Sequence, residues 1–207
     1  DKAEKAIIYT SIFIALVFSI GIFIIGPSLL ANFLVNKIES TIVLNLIEGI
    51  IRVSLFVIYV LLISKMDDVY RVFQYHGAEH KTIYCYEHGE ELIVENARKY
   101  STLHPRCGTS FIVNVLIISI LVFSFFGWPN PLMRIVIRLL ALPVIAGISY
   151  EINRYIGRSD NKIAKILAYP GFLIQKITTK EPDDSMLEVA IVALSEVIPE
   201  NRNDDIW

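Results

Sequence analysis

Four apolar stretches, at residues 7–26, 42–63, 109–128 and 132–150, limit what this chain can fold into more than anything else in it. Each matches the roughly 20 helical residues that cross a hydrocarbon core of about 30 Å. Charges fall in blocks between the stretches, and 54% of the 207 residues are hydrophobic, which together make a membrane-protein profile. The expected fold is all-α, a polytopic membrane protein with about four transmembrane helices, a helical cytoplasmic loop at 64–108 and a cytoplasmic or interfacial C-terminal region at 151–207. No internal repeat, Gly/Ser linker or low-complexity tract divides it, so 1–207 reads as a single membrane domain. The first stretch reads as a span and not as a cleaved signal peptide, being longer than a signal core and lacking a clean small-residue cleavage site. Pro27 and Asn32 are expected to mark where its helix leaves the membrane. Because the chain begins at Asp1 and not at a methionine, further residues are expected in front of it.

Lysine and arginine accumulate on one side of the spans. Lys2 and Lys5 precede the first, and Lys65, Arg71, Lys81, Arg98, Lys99 and Arg106 lie between the second and third. Arg154, Arg158, Lys162 and others follow the fourth, whereas the first connection holds only Lys37 and the third no basic residue. The positive-inside rule then puts both termini and the 64–108 loop in the cytoplasm. Cys85 and Cys107 would lie in a reducing compartment, where a disulfide is not expected and a thiol is free to bind metal. The net charge of −2 and the lack of a basic stripe interleaved with aromatics argue against a nucleic-acid partner. The lipid bilayer is the expected partner.

Ionised groups inside a span cost roughly 2.5–3.5 kcal/mol each and need a partner. Glu48 and Arg52, four apart on the face that carries Asn45, suit an i,i+4 pair. Arg138 lies about as deep in the fourth span as Glu48 does in the second, so a bridge between them is expected to fix helix register. A proton or ion path is the competing reading of these charges. A transporter would be expected to carry more polar groups or broken half-helices, so transport ranks third among the functions.

Three of the four histidines and one of the two cysteines gather in two short clusters, His76-Gly77-Ala78-Glu79-His80 and His104-Pro105-Arg106-Cys107. The pattern predicts a helix over 70–87, where His76 and His80 stand one turn apart with Glu79 beside them. H-x-x-E-H is the inverted form of a zinc-protease motif, in which the histidines bind zinc and the glutamate activates water. One or both of His104 and Cys107 supply the remaining ligands, and the start of the third span helps to stabilise a Cys107 thiolate. His76, His80, His104 and Cys107 are therefore the candidate metal ligands, with Glu79 as candidate catalytic base. Three ligands would leave an open, catalytic position and four would close a structural site, with Glu79 then orienting an imidazole. Cys85 falls on the far side of the helix and reads as a packed thiol, and His88 reads as a surface residue. Glu151 reads as an interfacial carboxylate paired with Arg154, with a place near the metal as the other option.

Residues 162–177 read as a bent interfacial segment, apolar between lysines and broken at Pro170-Gly171. Ser185 and Glu188 form a capping box that opens an amphipathic helix with Leu187, Ala190, Ile191, Leu194 and Val197 on one face, expected to dock on the loop or lie on the membrane. Residues 201–207 read as frayed. The runs Phe73-Gln74-Tyr75-His76-Gly77-Ala78-Glu79-His80-Lys81-Thr82, His104-Pro105-Arg106-Cys107-Gly108-Thr109-Ser110-Phe111 and Thr178-Thr179-Lys180-Glu181-Pro182-Asp183-Asp184 together resemble the bacterial YqhQ family of membrane proteins. The resemblance implies a metal-dependent membrane enzyme of unassigned reaction in the bacterial inner membrane. Family members usually carry a glycine-rich segment ahead of the first span, which this chain lacks. The leading expectation is a zinc-dependent hydrolase at the cytoplasmic membrane face, with a membrane-protein or lipid-like substrate. The competing expectation is a metal-stapled membrane scaffold that acts by binding a partner.

Overall fold

The computed structural model describes residues 2–35 and 37–199, with side chains from Glu4 onward. Among these the regular structure is entirely helical: α1 (Lys2–Ile20), a π-helical turn (Gly21–Ile25), α2 (Gly26–Asn32), α3 (Thr41–Ile63), α4 (Asp67–Glu87), α5 (Val94–Ala97), α6 (Gly108–Ser124), α7 (Pro131–Arg158), α8 (Lys162–Thr178) and α9 (Asp184–Ser195). The all-α expectation holds. The expected fraying of 201–207 lies outside the described residues.

Three helical stretches are long and apolar enough to cross a membrane, Glu4–Asn32, Thr41–Ile63 and Pro131–Arg158. The expected third span is α6, whose 17 residues reach only about 25 Å and sit at the lower limit for a crossing. It stops at Ser124 because Phe125 and Phe126 turn the chain toward Gly127, which takes the left-handed φ of 68°. Three stretches thus have full span length, and α6, the other span expected, has the minimum. The first is longer than the sequence suggested, since the chain stays helical past Pro27 to Asn32. The π turn makes this possible: the Gly26 N–H reaches back to the Gly21 carbonyl, and Pro27, at the start of α2, needs no N–H partner there. The most apolar window of this stretch has none of its residues buried, and Tyr9, Phe13 and Phe18 are exposed. Such a surface is costly in water and compatible with membrane insertion.

The residues pack as two compact units, Asp1–Tyr59 with Leu116–Ile145, and Val60–Val115 with Ala146–Trp207. In the first, Gly49 lets α3 approach α6, where a Cβ would meet the Ile120 side chain at 2.4 Å. Asn45 Nδ2 donates to the Thr41 and Gly127 carbonyls, tying α3 to the α6–α7 turn. The expected bridge is present: Arg52 and Arg138 both donate to Glu48 Oε1.

In the second unit, α4 packs on α5 and α9 around Ala78, Cys85, Ala97, Met186 and Leu187. The C-terminal helix thus docks on the 64–108 segment, and Cys85 is the packed thiol that its place on α4 predicted. The cap of α9 is Asp183 and not Ser185. Asp183 Oδ1 accepts from the Met186 N–H and the Ser185 hydroxyl, and a carboxylate complements the helix dipole better than a hydroxyl does. Pro170 lies within α8, whose helix is not broken there. This helix buries Ala164, Ala168, Gly171, Gln175 and Thr178, a stripe at alternating four- and three-residue spacing that marks one face.

Between α8 and α9 the chain crosses α4 as a strap. Lys180 N–H donates to the Phe73 carbonyl at 2.8 Å and Gln74 Nε2 to the Glu181 carbonyl at 3.1 Å. The crossing passes over Gly77, where a Cβ would sit 2.0 Å from the Lys180 carbonyl oxygen. Glycine is needed there because only a residue without a Cβ lets backbone approach backbone so closely. Lys81, buried at 4% exposure, fixes the strap from beneath. Its Nζ donates to the Arg98 and Tyr100 carbonyls and pairs with Glu181 at 2.6 Å.

Candidate metal centre

Helix α4 carries Asp67 and Asp68 in its first turn, where acidic groups favour the helix start. It carries His76, His80, Ile83 and Glu87 at spacings of four, three and four, one continuous stripe. The stripe faces a cavity of about 240 Å³ whose lining includes His76, Glu79, His80, Glu87, His104 and Cys107. All five sequence-predicted site residues therefore meet at one cavity.

Three of them converge. One donor atom from each of His76, His80 and Cys107 lies within 4.8 Å of the other two. His76 Nδ1 donates to the Thr178 carbonyl at 2.8 Å and His80 Nδ1 to the Thr102 carbonyl at 2.5 Å. With both Nδ1 atoms committed to backbone, Nε2 of each ring is left to the cluster, and His76 Nε2 lies 3.2 Å from Cys107 Sγ. A carbonyl behind an imidazole in this way fixes its tautomer and raises its basicity, the outer support that metal-ligating histidines have. The two carbonyls come from separate segments, one just before the strap and one from the loop after α5. Cys107 stands at the start of α6, and its sulfur accepts from the Thr109 N–H at 3.4 Å and contacts the Thr109 hydroxyl at 3.1 Å.

These contacts set the charges. Burial pushes the Cys107 thiol up, but hydrogen bonds from His76, His80 and Thr109 outweigh it and bring the pKa down to about 5. Burial pulls the His76 imidazole down, while its bond to Cys107, the sulfur's charge and the Thr178 carbonyl raise it above the ordinary value.

His104, the fourth expected ligand, stands beside the cluster and not in it. Its Nδ1 accepts from the Arg106 N–H at 3.2 Å, leaving the Nε2 proton to face Glu87 Oε2 at 3.3 Å. Both ring nitrogens are therefore engaged. Its backbone is clasped by Gln175, a fully buried side chain that accepts from the His104 N–H at 2.7 Å and donates to the His104 carbonyl at 2.8 Å and Ser110 Oγ at 2.6 Å. Gly171 permits this approach of α8, since a Cβ there would meet Ser110 Oγ at 2.4 Å. Glu79 is exposed and lines the cavity without joining the three donors. His88 is exposed, with Nδ1 on the Tyr84 carbonyl, and Glu151 pairs with Arg154 at 3.6 Å, both as the sequence suggested.

Glu87, Thr102, Gln175 and Thr178 belong to the site and were not among the sequence-derived candidates. Glu87 had a signal, standing seven residues after His80 on the same helical face. Besides His104 it holds Arg106 Nη1 at 3.1 Å, and His104 and Arg106 bring its carboxyl below the ordinary range despite burial, which acts the other way. Thr102 and Thr178 act through backbone carbonyls, which no side-chain pattern announces.

Fold and site together define a helical protein with three membrane-length helices and a His/His/Cys cluster, two of its members buried, whose donor atoms could hold a metal ion. The chain belongs to the family described as "Protein of unknown function (DUF1385)", which matches residues 1–200. It is also similar to the uncharacterized protein YqhQ of Bacillus subtilis (strain 168), 39% identical over 153 residues that cover 73% of this chain and 48% of the relative. The chain thus spans about half the length of the curated relative it matches. No solved structure matches it.

Proposed function

We propose that this chain is the membrane-bound, metal-holding part of a zinc-dependent hydrolase that acts on an amphiphilic substrate at the cytoplasmic face of a bacterial membrane. One observation carries the reading: two imidazoles with Nδ1 locked on backbone carbonyls leave Nε2 to a cluster they share with a stabilised thiolate. Nitrogen and sulfur donors of this kind suit zinc, and bonds of about 2.1–2.3 Å would set the donors about 3.3–3.6 Å apart, within reach of what the cluster spans. The residues fit the ion. His104 faces Glu87, so three protein ligands are available, the number that leaves a coordination position open for chemistry. A bound ion would supply Lewis-acid polarisation of a substrate oxygen and activation of water.

The chain's own residues supply the rest. Glu79 lines the same cavity and takes a proton from water as general base. The Glu87 carboxylate holds Arg106 and His104 in the lining of that cavity. An apolar groove of about 450 Å³ between α4 and α9, with Tyr75, Ile83, Val189 and Leu194 in its lining, shares Glu79 and Ile83 with the metal cavity. Its volume is that of a small-molecule site, and it would take the hydrocarbon portion of a lipid-like substrate or an apolar segment of a membrane protein.

Elemental mass spectrometry of the purified chain tests the reading. About one zinc per chain is expected in the native protein and in His104→Ala, and loss is expected in His80→Ala and Cys107→Ala. Glu79→Gln should keep zinc and fold while losing hydrolysis of amphiphilic esters or phosphoesters. A metal-stapled scaffold would instead be indifferent to Glu79→Gln and unfold on Cys107→Ala. A folded sample without metal would end the metalloenzyme reading.

A further inference from the structure

The first compact unit holds a charge imbalance that its own residues leave open. Arg52 and Arg138 donate to Glu48 Oε1, and Arg134 Nη1 lies 4.0 Å from Glu48 Oε2. Among the described residues no other carboxylate pairs with these three guanidinium groups, so three positive charges face one negative. None is at the surface: the Arg52, Arg134 and Arg138 side chains are 13%, 8% and 15% exposed and that of Glu48 is 3%. Arg134 Nε and Nη1 and Arg52 Nε have no hydrogen-bond partner. The Arg134 guanidinium lies 4.3 Å from the Trp128 ring centroid, which attracts the charge but does not satisfy its in-plane donors. Two uncompensated cations and several unused N–H groups in an apolar helix bundle are costly unless an anion joins them.

The unit has a place for one. A cavity of about 150 Å³ opens beside the cluster, and its lining brings Arg134 and Arg138 together with Ser28, Asn32, Ile24 and Leu29. The volume holds a few water-sized groups of about 30 Å³ each. Two guanidinium groups, a hydroxyl and an amide offer donors from several directions, which suits the several oxygens of a phosphate better than the two of a carboxylate, and paired arginines match phosphate bidentately. Arg134 and Arg138 stand about 4 and 10 Å along α7 from Pro131, near the depth of the headgroup boundary in a bilayer. We infer that the Arg52, Arg134 and Arg138 cluster around Glu48 is a binding site for a phosphate group. A phospholipid headgroup, with its chains along Ile24 and Leu29, and free phosphate both carry that chemistry. This site is independent of the metal centre.

Native mass spectrometry and thermal unfolding of the full chain in detergent test it, with phosphatidylglycerol, inorganic phosphate and a diacylglycerol of the same chains as probes. Saturable retention of phosphatidylglycerol with a raised unfolding midpoint, and neither with diacylglycerol, is the expected result. Arg134→Gln should weaken that retention about tenfold or more, the loss of one charge-assisted contact. Should Arg134→Gln fail to fold, Arg134→Lys, which keeps the charge and loses the fork, must still bind more weakly than the native chain. Protection by inorganic phosphate that is lost in the same variants would support the site and assign it to the free ion. Equal phosphatidylglycerol retention by native and variant chains, equal retention of diacylglycerol, or no response to either phosphate probe would overturn the inference.

Discussion

Replacing Gly77 by alanine should show how far the metal centre depends on the strap that crosses α4. In an isolated helix the change would stabilise by about 1 kcal/mol. Here the new Cβ would stand 2.0 Å from the Lys180 carbonyl oxygen and 3.3 Å from Thr102 Cγ2. The first neighbour is backbone, so it cannot swing aside as a flexible side chain can. To reach ordinary contact the strap must retreat by more than about 1 Å, enough to weaken the Lys180 to Phe73 and Gln74 to Glu181 hydrogen bonds. Overpacking of this kind costs about 1–3 kcal/mol and each weakened hydrogen bond about 1 kcal/mol. After the helix gain is subtracted, about 2–4 kcal/mol of destabilisation remains. The same retreat draws the Thr178 carbonyl from His76 Nδ1 and should weaken zinc binding by about 10–100-fold, the usual effect of losing an outer partner of a ligand. Denaturant or thermal unfolding gives the first quantity and competition with a metal chelator the second. Gly147→Ala is the control, because a Cβ there meets nothing within 4 Å and should be neutral or slightly stabilising. A Gly77→Ala chain as stable as native, with unchanged zinc affinity, would refute the reasoning.

Three further outcomes follow from the geometry. In the metal-free chain Cys107 should alkylate with iodoacetamide at a nearly constant rate from pH 6 to 8 and lose reactivity only below about pH 5, because its pKa is depressed to about 5; an ordinary thiol, near pKa 8.5, would gain about tenfold per pH unit over the same range. The sign for stability is the same. The thiolate's contribution is complete above the unfolded thiol's pKa and is lost as pH falls toward about 5. Gln175→Leu should cost about 2–4 kcal/mol in unfolding measurements, since it leaves the buried His104 N–H without a partner and its carbonyl with only the long 3.4 Å bond from the Cys107 N–H. Lys81→Met should destabilise by a similar amount, about 2–4 kcal/mol, by removing the charge-assisted donor to the Arg98 and Tyr100 carbonyls; stability equal to native in either variant would show that the contact is dispensable.

Much of this was legible in the residues. Hydropathy located the membrane-length helices because a span must be apolar over its whole length, and helical spacing put His76 and His80 on one face because both lie on one helix. The buried Glu48 to Arg138 bridge was predictable from depth alone. Helix ends were less so. Whether α1 stops at Pro27 depends on a π turn that spends one hydrogen-bond register, and no side-chain pattern reports that. The size of α6 was overestimated because Phe125 and Phe126 are apolar enough to extend a span, yet Gly127 bends the backbone away. Asp183 was passed over as a cap because Ser185 and Glu188 matched the capping-box pattern, and that pattern does not compare two neighbouring acceptors.

The ligand count shows why sequence spacing and geometry answer different questions. His104 and Cys107 are three apart, and on a helix both would face one ion. The Pro105 turn holds them in a different relation: Gln175 grips the His104 backbone on both sides, and the ring turns to Glu87 instead. Each of the three converging donors is then fixed by a different stretch of chain, Thr178 ahead of the strap, Thr102 after α5 and Thr109 in the first turn of α6. Assembly of the cluster is thereby tied to docking of the strap and α8 on α4. A variant that loosens the strap without touching a ligand should lower metal affinity and stability together, whereas substitution of Glu79, which none of these contacts involves, should leave both unchanged.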